Sequence, residues 1–140
     1  MGRGLKRLAL DSSALIYLVE GAPAVRDRVV AHLSPYLRDR AAELVACRLA
    51  RMECRVRPLR EADDTLLASD EALFSAGRFS FIELTPSVID RATVLRSSHG
   101  FKTPDALHLA AAIEANADLF LTGDAKLARC TDLQVAVVAP

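Results

Sequence analysis

The sequence predicts an α/β fold, three layers of α/β/α around a central, mostly parallel sheet, built as one domain over residues 1–140. Three observations carry this expectation. Short apolar or β-branched runs alternate with helical patterns along the chain. Acids stand at the exits of two such runs, Asp11 after Leu8-Ala9-Leu10 and Asp124 shortly after Leu119-Phe120-Leu121. No repeat, linker or low-complexity segment divides the 140 residues, a length that supports a core without staples.

The elements follow in order. Residues 5–10 read as a buried strand ending at Asp11. Ser12 and Ser13 are suited to cap a helix over 14–20, which Gly21 ends. A second helix spans about 23–33, with Val25, Val29 and Leu33 at helical spacing, and Ser34-Pro35 stops it. Residues 43–47 are a weaker strand. From Arg48 the period becomes helical: Leu49, Met52, Val56 and Leu59 share one face, with Arg48, Arg51 and Arg55 beside it. Pro58 ends or kinks this helix, and a further amphipathic stretch spans about 60–74, closed by Gly77. Residues 79–84 alternate as a strand. Thr85-Pro86 starts a helix that runs to His99 and is capped by Gly100. Residues 103–116 form the clearest helix, rich in alanine. A strand over 118–122, a helical turn over 124–129 and a strand over 134–138 complete the chain.

Composition narrows the function classes. Apolar residues make up 51%, which argues against disorder, and charges balance at 18 against 18, which argues against unspecific nucleic-acid binding through net charge. Fifteen of the 18 cations are arginine, a preference that suits phosphate contacts and that a GC-rich coding sequence also produces. Cys47, Cys54 and Cys130 have no Cys-x-x-Cys spacing, and His32, His99 and His108 match no metal motif. The basic N-terminus, residues 1–7, makes a poor signal peptide because Asp11 interrupts the apolar stretch after it. No run approaches membrane-spanning length, so a cytoplasmic location is expected.

The chemistry rests on Asp11, Glu53, Asp105 and Asp124. Each has an ordinary reading: Asp11 with Ser12-Ser13 as a capping cluster, Asp105 as a first-turn acid facing a helix dipole, Asp124 as a turn or N-cap residue. Glu53 precedes Arg57 by four residues, the spacing of a surface ion pair, and His108 reads as a packed core histidine that also lies one turn after Asp105. The arginine stripe Arg48, Arg51, Arg55 reads as a solvated face or an RNA contact. Together the acids say more. Ligands of open α/β sheets bind outside the carboxyl ends of the strands, so acids at strand exits converge on one crevice. Crowded carboxylates repel unless a cation sits among them, and Mg²⁺ or Mn²⁺ suits oxygen ligands.

The segments Leu8-Ala9-Leu10-Asp11-Ser12-Ser13-Ala14-Leu15, Lys102-Thr103-Pro104-Asp105-Ala106-Leu107-His108-Leu109-Ala110 and Leu119-Phe120-Leu121-Thr122-Gly123-Asp124 together resemble those of PIN-domain nucleases. Length and order also resemble the toxin subunits of VapBC toxin–antitoxin modules, over essentially the whole chain. The resemblance implies a catalytic set of Asp11, Glu53, Asp105 and Asp124, with Asp11, Asp105 and Asp124 holding Mg²⁺ or Mn²⁺ and Ser13 and Thr122 as hydrogen-bonding supports. The helix carrying Glu53 is the weakest match, since Glu43, Glu61 and Glu71 lie in the same region. The implied activity is endoribonuclease cleavage leaving a 3′-hydroxyl and a 5′-phosphate. The implied partners are RNA, a small antitoxin and a second copy of the chain, docked on the early and central helices through residues such as Leu15, Tyr17, Leu18, Leu66, Leu67 and Leu73. A core role for those six is the alternative.

Other readings fit less well. A receiver-type signalling domain needs paired acids at the first strand, where Leu10 precedes Asp11. A haloacid-dehalogenase-like phosphatase needs Asp-x-Asp, and Ser13 occupies the second position. A non-catalytic interaction module would not need all four acids.

Overall fold

The computed structural model describes residues 6–139. In chain order the elements are β1 (Arg7–Leu10), α1 (Ser12–Glu20), α2 (Pro23–Arg38), β2 (Glu43–Cys47), α3 (Leu49–Arg60), α4 (Asp64–Phe74), β3 (Phe79–Ile82), α5 (Pro86–His99), α6 (Thr103–Glu114), β4 (Leu119–Thr122), a 3₁₀ turn (Ala125–Arg129) and β5 (Val135–Val137). The strands form one sheet in the order β3-β2-β1-β4-β5. Every pairing is parallel, so the expected mostly parallel sheet is parallel throughout the described residues. Leu5, expected in the first strand, lies outside them.

The two-residue period of the strands assigns side chains to opposite layers. Leu8 and Leu10 of β1, with Leu44, Ala46 and Leu121, face α1, α2, α3 and α4. Ala9, Val45, Cys47 and Phe120 face α5 and α6. In α6 the alanines Ala106, Ala110, Ala111 and Ala112 are buried, which lets this helix sit close to its neighbours. Each fully buried Leu or Phe contributes roughly 1.5–3 kcal/mol relative to exposure.

The strand order places the site. Strands β1, β2 and β3 are laid down in one direction from the centre, and β4 and β5 in the other. The reversal lies between β1 and β4, the position where open parallel sheets leave a ligand crevice. Receiver-type domains use the 2-1-3-4-5 order instead, so that alternative is excluded by topology.

Several local expectations are corrected. Ser12 and Ser13 lie inside α1; the cap is Asp11, whose carboxylate accepts from Ala14 N. Pro35 does not stop α2, which runs on to Arg38. Leu33 and Tyr36 pack on the core there, and the Arg78 guanidinium donates to the carbonyls of Tyr36, Leu37 (2.9 Å) and Asp39 (2.6 Å), closing the helix end. Pro58 lies within α3, and the break falls at residues 61–63, where Asp63 caps α4. As expected, Thr85 caps α5 and Gly100 ends it with a left-handed φ of 70°.

The apolar face of α3 is the largest departure. Its buried face is Ala50, Cys54 and Pro58, whereas Met52, Val56 and Leu59 are 58%, 48% and 57% exposed. Of the six residues expected to offer a docking surface, four are tied inward. Leu15 is buried, Tyr17, Leu18 and Leu73 pack against the core, and Leu66 and Leu67 are half-buried.

Candidate functional site

Asp11 follows β1 directly and is only 5% exposed. Three donors hold its carboxylate: Ala14 N at 3.0 Å and Ser13 Oγ at 2.6 Å on Oδ1, and Thr122 Oγ1 at 2.5 Å on Oδ2. Both hydroxyls are themselves oriented by the β4 exit. Gly123 N donates to Ser13 Oγ at 2.8 Å, and Asp124 N donates to Thr122 Oγ1 at 3.0 Å. Ser13 and Thr122 thus stitch the ends of β1 and β4 together through the carboxylate of Asp11. Gly123 is needed because a Cβ there would come within 2.6 Å of the Tyr17 ring.

Asp124, half-buried, caps the 3₁₀ turn by accepting from Lys126 N at 2.9 Å. Asp105 stands in the first turn of α6. Burial pushes its carboxyl above the ordinary aspartate range, and the charges of Asp124, Asp11 and Glu53 add to that, with His108 opposing. Four carboxylates delivered by separate parts of the chain therefore feel one another at the switch point.

Glu53 belongs to this group and not to a surface pair. Arg57, its expected partner, bonds Glu20 and Glu61 instead. Glu53 Oε1 accepts from Ser12 Oγ at 2.5 Å and pairs with His108 Nε2 at 2.6 Å. Burial pushes the Glu53 carboxyl up, but the bonds from His108 and Ser12 outweigh it and hold the group below the ordinary glutamate range. The other acids of the region are committed elsewhere: Glu43 to Arg7, Glu61 to Arg57 and Glu71 to Arg51. His108 is buried, as a core histidine would be, yet its Nε2 is bonded to Glu53. Sequence reasoning noted its place one turn after Asp105 but not its bond to Glu53, nor that of Ser12.

Cations flank the acids. A crevice of about 180 Å³ is lined by Asp105, Asp124, Lys102, Lys126 and Arg129, with the Arg129 guanidinium 5.0 Å from the centre of the Phe101 ring. None of these three cations was expected from the sequence to flank the acids. The arginine stripe, by contrast, is partly engaged, Arg48 with Glu83 at 2.5 Å and Arg51 with Glu71 at 3.0 Å.

The donor set suits a hard divalent cation: every acid offers carboxylate oxygen, and the like charges that add to burial in raising Asp105 are what a cation relieves. Among the described residues, no group of three His, Cys, Asp or Glu side chains is arranged to hold a metal ion. An open acidic crevice is compatible with Mg²⁺, which usually keeps several waters and takes only one or two carboxylates besides substrate phosphate. No helix of the described residues is long and apolar enough to cross a membrane.

Comparison with known proteins agrees with the fold. The chain resembles the structure of VapBC2 from Rickettsia felis bound to a DNA fragment from their promoter, at a TM-score of 0.74 and 15% identity, covering 93% of this chain and 97% of that one. It also resembles a toxin–antitoxin complex from Klebsiella pneumoniae, with TM-score 0.65, 20% identity and coverage of 92% and 95%. FitAcB from Neisseria gonorrhoeae gives a TM-score of 0.64, 22% identity and coverage of 91% and 95%. At these identities the likeness concerns the fold. No curated protein matches the chain. The PIN domain family model matches residues 8–133, nearly the whole sequence, and on that match the chain belongs to the PIN domain family.

Proposed function

We propose that the chain is a Mg²⁺- or Mn²⁺-dependent endoribonuclease, the toxin member of a toxin–antitoxin pair. The observation that carries this reading is the placement of Asp11 and Asp124 at the β1 and β4 exits, with Asp105 near enough that their charges add to the burial that raises it. Asp11, Asp105 and Asp124 would hold the cation, one or two of them directly and the rest through its waters. When bound, a divalent cation supplies the charge that makes a water nucleophilic at neutral pH and stabilises negative charge on phosphate oxygens.

The chain's own residues do the rest. Asp11, with donors on both oxygens, keeps one fixed orientation. Glu53 stays ionised and orients the attacking water through Oε2, the oxygen outside its bonds to Ser12 and His108. Attack forms the new P–O bond and breaks P–O3′; the water gives up one proton, O3′ takes one from solvent, and the products are a 5′-phosphate and a 3′-hydroxyl. Lys102, Lys126 and Arg129 offer positive charge to the neighbouring phosphates. The test is cleavage of cellular RNA that is stopped by EDTA, restored by Mg²⁺ or Mn²⁺ and absent from the Asp11→Asn protein. A non-catalytic interaction module would bind no metal at these acids and cleave nothing.

The partner reading rests on α3. Its exposed Met52, Val56 and Leu59, beside Arg48, Arg51 and Arg55, form an apolar strip with a basic margin. Such a strip suits a small antitoxin or the second copy of a homodimer, and one of the similar structures is a toxin–antitoxin complex. A cationic antitoxin side chain placed among the acids would block both metal and substrate. Action on RNA in the cytoplasm belongs to the same proposal.

A further inference from the structure

We propose that His108 is a positioning residue for Glu53, acting with Ser12 to fix the carboxylate by one oxygen and leave the other for the reacting water. The inference rests on the nuclease reading and assigns within it a role to a side chain outside the acidic set. Three elements supply the parts: Ser12 from the start of α1, Glu53 from α3 and His108 from α6. Both bonds land on the same oxygen, at 2.5 and 2.6 Å, while Ser12 Oγ and His108 Nε2 stand 3.3 Å apart. An otherwise half-buried glutamate would populate several rotamers. Two donors converging on Oε1 restrict it to one, which places Oε2 without occupying it.

Packing alone does not account for this histidine. His108 is 4% exposed, and its Nδ1 is buried with no hydrogen-bond partner among the described residues. A leucine of similar volume would fill the space without burying an unmatched nitrogen, so the ring carries a local penalty that a purely structural role leaves unexplained. The same geometry places one ring hydrogen. A carboxylate oxygen can only accept, so a hydrogen sits on Nε2 and points at Glu53. His108 also lies three residues after Asp105, so one face of α6 presents both an acid and the donor that holds a second acid.

The experiment has two arms. In the first, long-range ¹H–¹⁵N spectra of the metal-free protein read the His108 ring directly, whether or not any RNA is cleaved. The expected result is a protonated Nε2, with the pattern altered in Glu53→Gln. An Nε2 without hydrogen, or a ring insensitive to Glu53→Gln, overturns the inference. In the second, steady-state cleavage compares wild type, His108→Gln and His108→Leu at matched thermal midpoints. Gln keeps a donor nitrogen in the place of Nε2, so it should remain within about threefold of wild type in kcat. Leu should lower kcat about tenfold to a hundredfold with KM unchanged, the usual reach of a supporting hydrogen bond. If Leu retains full kcat, or Gln falls as far as Leu, the positioning role is wrong although the nuclease reading stands. A wild-type protein that cleaves no RNA defeats the nuclease reading and, with it, the catalytic part of this proposal.

Discussion

Glu53 Oε1 and His108 Nε2 stand 2.6 Å apart although 55 residues separate them in the sequence. The bond ties α3 to α6, the helix that also carries Asp105. Its neighbour Asp11 is tied as firmly, by Thr122 from a strand 111 residues away. These two connections define what is testable about the site.

Asp11 serves the fold as well as the site. In Asp11→Ala the α1 cap is lost, at about 1 kcal/mol. The Ser13 and Thr122 hydroxyls are left without their acceptor as well, at about 1–3 kcal/mol each where water cannot replace it. Asp11→Asn keeps an acceptor oxygen and should cost less. Urea denaturation of the three proteins checks this ordering; an Ala variant as stable as wild type would contradict the hydrogen-bond assignments.

Asp105 predicts a trade of stability against activity. Its folded-state carboxyl is raised by burial and by Asp124 and Asp11, so the folded chain holds that proton more tightly than the unfolded chain. Stability from this group is present at low pH and is lost as pH rises from the ordinary aspartate value through the raised one. Asp105→Asn should therefore raise the metal-free denaturation midpoint at neutral pH, abolish cleavage, and lose its stability advantage in acid. Glu53 runs the other way: its lowered carboxyl stabilises above the ordinary glutamate value, and that contribution is lost as pH falls through the lowered one. Denaturation curves at acid and neutral pH separate the two.

Cation binding should show in stability before it shows in turnover. A ligand that binds only the folded state adds about 2.7 kcal/mol at a hundred times its Kd. The thermal midpoint is expected to rise with Mg²⁺ or Mn²⁺ and to stay flat in Asp11→Asn and Asp124→Asn. A flat wild-type curve at millimolar cation counts against metal binding at these acids.

Lys102 and Lys126 flank the crevice and are exposed, so neutralising them should leave the fold intact. If both contact phosphates of a single strand, each Lys→Gln change lowers the slope of log affinity against log salt by about 0.7. Fluorescence anisotropy with labelled RNA at several salt concentrations measures that slope. An unchanged slope in the double variant removes both lysines from the substrate path.

Much of this was legible in sequence because it depended on local signals. Apolar runs ending in acids marked β1 and β4, and Thr85-Pro86 and Gly100 bounded α5. What was not legible depended on tertiary choice. Leu49, Met52, Val56 and Leu59 made the more hydrophobic face of α3, yet the small residues Ala50 and Cys54 were buried because the helix lies close against α1. Arg57 and Glu53 had ideal spacing, but Ser12 and His108, distant in sequence, bound Glu53 instead. Pro35 failed as a stop because Arg78, from a later segment, satisfies the last carbonyls of α2.

The exposed strip on α3 should report on partners. Val56→Asp replaces an apolar side chain that is 48% exposed, so stability should change by no more than about 0.5 kcal/mol. Light scattering and pull-down from native cells are expected to show loss of the dimer or of a small partner, with RNA cleavage retained. An unaltered assembly would place the interface on another face.

The central claim, that four carboxylates form a cation-dependent RNA-cleaving site, is tested most directly by one cleavage assay. Purified, partner-free protein is incubated with total cellular RNA in EDTA, then with Mg²⁺ or Mn²⁺, alongside folded Asp11→Asn and Asp105→Asn. The account predicts discrete products carrying 5′-phosphates only with wild type and added cation. Cleavage that persists in EDTA, or that survives in either folded variant, would contradict it.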